Sequence, residues 1–145
     1  MINDTIKSIL TSSGCDLVIY EHDRLANLYT DQSNQNSIIG IVMQPNQITL
    51  EVRANSIMER YPFTTIEVLK QVKLEDKADN NEVVLQELLE ICKQIITRLI
   101  LSELVSKVRT VTATKIQENR YDANAIGWSI SVNILRLLNE DKDPC

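Results

Sequence analysis

The sequence predicts an α+β fold: a mostly antiparallel sheet packed by one long helix and a short N-terminal helix. Three observations carry this reading. Apolar residues recur at helical spacing as Leu85, Leu88, Leu89, Cys92, Ile95, Ile96, Leu99 and Ile100. Near the C-terminus, Ile126, Trp128, Ile130, Val132 and Ile134 alternate with Gly127, Ser129, Ser131 and Asn133, the period of a strand. Ahead of the long helix, short runs of β-type residues are separated by turn signals. Helix, strands, long helix and two strands form the order of a sheet covered by helices.

Taken in order, Ile2, Ile6, Ile9 and Leu10 predict a helix over 2–13, with Gly14 as its stop. Leu17 to Tyr20, just after Asp16, is a short strand. Residues 31–37, DQSNQNS, are a polar loop. Ile38 to Gln44 is the next strand, and Pro45-Asn46 signals a hairpin turn into a half-buried strand, where Ile48, Leu50 and Val52 alternate with Thr49, Glu51 and Arg53. Residues 54–61 carry no clear period. Pro62 interrupts the chain, having no amide donor. Phe63 to Val72 reads as a strand with Ile66 and Val68 on one face, Thr65 and Glu67 on the other.

A charged loop, KLEDKADNN, spans 73–81. Asp79 is the expected N-cap of the long helix, with Glu82 at capping-box spacing. A continuous helix over 82–104 follows; about 24 residues give a length of roughly 36 Å. Its wide apolar stripe predicts packing against the sheet. Lys107 to Gln117 is rich in Val and Thr and reads as a strand. Residues 119–124 form a turn before the last strand, and the chain is one domain over 1–145 with a frayed tail at 139–145.

Composition narrows the function. The formal net charge is -5, and no dense Lys/Arg cluster occurs. That argues against tight DNA binding by a single copy, which needs cations to displace counterions from phosphates. The longest apolar stretch, 91–101, is broken by Lys93, Gln94 and Arg98, so no membrane span is expected. The first ten residues lack the apolar centre of a signal peptide. Cys15, Cys92 and Cys145 are odd in number and widely spaced, which fits neither a disulfide framework nor a zinc site. The natural reading is a reducing compartment.

The sequence shows no catalytic constellation. His22 is the only histidine, and its neighbours Glu21 and Asp23 point to the opposite face of an extended chain. Glycine-rich phosphate loops and a G-x-S-x-G elbow are absent. The acidic loop of Glu75, Asp76 and Asp79 lacks the ligand cadence of a calcium site. No catalytic residue, metal ligand or cofactor is therefore assigned, and the protein is expected not to be an enzyme. Subunit contacts are expected instead, through Lys73, Glu75, Asp76 and Lys77 of the charged loop, through Arg53 and Arg109 as their basic counterparts, and through Tyr121 and Trp128. Aromatic residues of these types are enriched at interface centres; for Trp128, burial in the core is the competing reading.

The order of elements, with the segment Arg120-Tyr121-Asp122-Ala123-Asn124-Ala125-Ile126-Gly127-Trp128-Ser129-Ile130, resembles the tail-terminator and tail-completion proteins of bacteriophages and related neck or ring proteins. The resemblance covers about residues 2–138 and is one of organisation. It implies a virion structural protein, assembled in the host cytoplasm, that forms a ring of identical subunits at the head–tail region. Its partners would be further copies and other neck, portal or tail proteins, with DNA passing through the lumen and no membrane contact. An acidic chain suits such a lumen, because like charge lets DNA pass without sticking. Two other classes compete: a small intracellular protein-binding or regulatory module, monomeric or dimeric, and a small-molecule enzyme built around a pocket at His22.

Overall fold

The computed structural model describes residues 2–20, 37–43, 47–71, 78–105, 110–116 and 125–139. The elements are α1 (Ile2–Ser13), β1 (Leu17–Tyr20), β2 (Ile38–Met43), β3 (Thr49–Arg53), β4 (Ser56–Gln71), α2 (Ala78–Leu101), β5 (Ala113–Ile116) and β6 (Ala125–Asn139). The six described strands form one sheet in the order β1-β2-β4-β6-β5, with β3 also paired to β4. Every pairing is antiparallel except β1 with β2. The α+β class read from the sequence is the observed one.

β4 and β6 are the long members, 16 and 15 residues, and they pair along their whole lengths. The other side of β4 is shared. β2 lies along residues 65–70 and β3 along residues 56–60. β2 and β3 therefore follow one another in the same direction and do not pair with each other. The hairpin expected at Pro45-Asn46 is not formed, and residues 44–46 lie outside the described set. Reversal comes later, at the two-residue turn Ala54-Asn55, where Arg53 faces Ser56.

Pro62 does not interrupt β4. The register with β6 shifts between Tyr61 and Thr64, so β4 carries one extra residue there, a β-bulge. Neither β2 nor β3 pairs with residues 61–64, so the missing amide of Pro62 removes no ladder bond. Thr64 Oγ1 donates to Tyr61 O at 2.9 Å and closes the bulge. The strand consequently starts at Ser56, seven residues before the expected start at Phe63.

α1 and α2 pack on one face of the sheet. Ile6, Ile9 and Leu10 of α1 join Leu88, Cys92, Ile95 and Leu99 of α2, with Val42, Ile66, Val68, Ile130, Val132 and Ile134 beneath them, in one buried cluster. Ile19, Ile39, Ile41, Leu69 and Ile116 form a second cluster on the opposite face. Burial on both faces explains why β2 reads IIGIVM, a continuous apolar run. Glu67 belongs to this second face, opposite Ile41 and Ser129, and is fully buried.

Both helices end in the same way. At α1, Cys15 N donates to Leu10 O at 3.0 Å and Gly14 N to Thr11 O at 3.2 Å, with Gly14 at φ 123°. At α2, Leu104 N donates to Leu99 O at 2.9 Å and Glu103 N to Ile100 O at 3.0 Å, with Glu103 at φ 60°. These are two Schellman caps, each with a left-handed residue after the helix. α2 begins at Ala78, so Asp79, expected as the cap, lies inside its first turn, and Asn81 belongs to the helix and not to the loop. It ends at Leu101, three residues before the expected 104.

Candidate subunit-contact surface

The bulge at Tyr61–Thr64 divides the sheet into two parts. On one side of it, β4 and β6 lie under the helices. On the other, the first part of β4 and the last part of β6 extend as an arm, with β3 along its edge. Residues directly opposite in an antiparallel pair share a face. Val52 faces Ile57 and Ile57 faces Leu138; Leu50 faces Glu59 and Glu59 faces Arg136. Along β6, position 138 shares its face with Val132 and Ile134, which are core residues. Ile48, Leu50 and Val52 thus lie on the helix-bearing face of the sheet.

Neither described helix covers them. Ile48 is 48% exposed, Leu50 59% and Val52 79%. This corrects the half-buried strand expected from the sequence: the apolar face of β3 is turned to solvent. Beside it, Tyr61 is buried, and its hydroxyl donates to Glu59 Oε1 at 3.3 Å. On the other face, Arg60 donates to Glu51 Oε2 from Nη2 at 3.0 Å and from Nε at 3.3 Å. Both partners are well over a third exposed, so the pair contributes little to stability, about 0–1 kcal/mol. Its effect here is to pair the Glu51 carboxylate.

Of the residues expected at subunit contacts, the structure places Arg53 at the end of β3, opposite Ser56. Trp128 lies on β6, half-buried against the helix-side core, and its Nε1 donates to Leu85 O at 2.8 Å, fastening the first half of α2 to the sheet. Lys73, Glu75, Asp76, Lys77, Arg109 and Tyr121 lie outside the described residues, as do Glu21, His22 and Asp23, the loop 31–36, the turn 119–124 and residues 140–145. Asn139 closes β6 opposite Ser56.

The described chemistry is otherwise quiet. Cys15 and Cys92 are free and buried. Burial, with smaller contributions from Cys92 and Asp16, pushes the Cys15 thiol up to about 12, and burial pushes the Cys92 thiol up to about 12. Thiols so held are poor nucleophiles, since the thiolate is the reactive form. Burial also pushes the Tyr20 hydroxyl up to about 12, with Lys7 backbone hydrogen bonding opposing it. Among the described residues no group of three or more His, Cys, Asp or Glu side chains is placed to hold a metal ion. Nor is any described helix long and apolar enough to cross a membrane. No protein-family model matches the chain, and no curated protein matches its sequence.

Proposed function

We propose that this chain is a non-catalytic assembly protein that works through contacts with other protein subunits. In its most specific form the reading is a virion protein that joins copies of itself into a ring at the head–tail region of a phage, around the DNA path. Such a ring would abut other neck, portal or tail proteins and bind no particular DNA sequence. The observation that carries the reading is the arm: a strand whose apolar side chains stand in solvent on the very face that is core elsewhere. An exposed apolar face costs solubility and offers no folding energy to the monomer, so it marks an interaction surface. The ring itself is supported by the resemblance in organisation and by an acidic chain, net charge -5, that suits a lumen.

Native mass spectrometry and electron micrographs of the purified full chain test this. A ring appears as a closed species of many subunits. A chain that stays monomeric at every concentration overturns self-assembly.

A further inference from the structure

We infer that β3 is a self-pairing edge: two copies of this chain join by antiparallel addition of β3 to β3, about a two-fold axis through Leu50. This names a partner for the exposed arm and so rests on the assembly reading. The backbone offers the edge. A two-residue turn makes Arg53 and Ser56 the closing hydrogen-bonded pair. Alternate residues of a strand point their amides and carbonyls to opposite sides, so those of Ile48, Leu50 and Val52 face away from β4. Among the described residues β4 is the only strand paired with β3. The strand has no Pro, Lys or bulge, devices by which edges are usually blunted.

The side chains say what the edge accepts. Ile48-Thr49-Leu50-Glu51-Val52 is a palindrome in residue class: β-branched, polar, Leu, polar, β-branched. Antiparallel pairing reverses one copy, so the strand meets its own pattern. Leu50 faces Leu50 of the partner subunit, Ile48 faces Val52 of the partner subunit, and Thr49 faces Glu51 of the partner subunit. Apolar positions meet apolar ones on one face and polar meet polar on the other. A slip by one residue would set Leu50 against Glu51, mixing the faces. A slip by two in one direction would set Glu51 against Glu51, like charges directly opposed; in the other it would centre on Thr49 and set Val52 against position 46, so that the Val52 side chains lose their apolar partners. In the register about Leu50, each Glu51 carboxylate keeps its own Arg60 at 3.0 Å. Pairs at 48, 50 and 52 make about six main-chain hydrogen bonds. A contact of this size alone is weak and concentration-dependent.

A two-fold contact makes pairs; a ring needs a head-to-tail contact. The two are therefore separable by experiment. Sedimentation equilibrium of the full chain should show reversible pairing as the concentration rises. Leu50→Pro removes the outward amide on the axis and leaves the bonds to β4, and Leu50→Lys sets like charges across the axis. Each should abolish the pair while the circular-dichroism melt stays unchanged. Leu50→Cys in a Cys145→Ser background should cross-link copies through position 50 on mild oxidation by a disulfide reagent, each thiol losing a proton and an electron to the reagent. Pairs with no larger species support the β3 contact and overturn the ring. Assembly unaffected by Leu50→Pro, with no cross-link from Leu50→Cys, overturns the β3 contact and leaves assembly to another surface. A wild-type chain that is monomeric throughout overturns both.

Discussion

The two halves of β4 are the same strand under different conditions. Residues 65–70 lie beneath two helices and between two strands, and Ile66 and Val68 are wholly buried there. Residues 56–60 also have a strand on each side, β3 and β6, yet only partial burial. Both halves are thus paired with a strand on each side. What differs is whether the apolar face meets a helix. Strand pairing alone thus builds the arm, while helix packing makes the other half a core, and apolar burial supplies most of the stability.

Charge placed in each half gives the widest contrast. Ile66→Asp puts a carboxylate into the helix-side core without a partner, and soluble folding should be lost; a soluble variant with a native melt would refute the packing described. Gly127→Ala comes next. A Cβ at this position on β6 would sit 1.9 Å from Val68 O, backbone that cannot step aside, so we expect a loss of about 3 kcal/mol in denaturant titration. Gly40→Ala should cost less, because its Cβ meets side chains and not backbone, Leu10 Cδ2 at 2.7 Å and Cys15 Sγ at 3.0 Å.

The two helix ends sharpen the comparison at about 1 kcal/mol. Gly14→Ala should destabilise, since a Cβ is strained at φ 123°; Glu103→Gly should stabilise, since it relieves the left-handed strain of a non-glycine residue. Urea midpoints moving in the same direction for both would sink the cap assignment.

Alkali should destabilise the fold through thiols buried in the covered half. The folded chain keeps Cys15 and Cys92 protonated up to about pH 12, whereas unfolded thiols ionise near pH 8.5. The folded state then binds more protons than the unfolded one over this window. Their contribution is full below it and is lost as pH rises through it. Thermal melts from pH 8 to 11 should fall, and the fall should flatten in the Cys15→Ala, Cys92→Ala double variant relative to its own value at pH 8. The smallest effect belongs to the arm: Val52→Asp, on a side chain 79% exposed, should shift stability by less than about 0.5 kcal/mol while weakening assembly.

Residue spacing by itself determined much of this molecule. The stripe from Leu85 to Ile100 could only be a helix with one buried side, the alternation from Ile126 to Ile134 only a strand with one, and Gly14 after the first helix only a stop. These are local facts, because period and backbone freedom are properties of neighbouring residues. Three features were decided by tertiary structure. Pro62 sits inside a strand because the bulge and the gap between β2 and β3 leave its position without a ladder bond to lose. Glu103 takes the place of a capping glycine because burial of Leu104 against Leu99, and Leu135 N donating to Leu104 O at 2.7 Å, hold the turn in place. The candidate site is the third. Alternation at Ile48, Leu50 and Val52 states which face of β3 is apolar, and is silent on what meets that face, because the described helices that cover the core come from remote parts of the chain and leave this part of the face exposed.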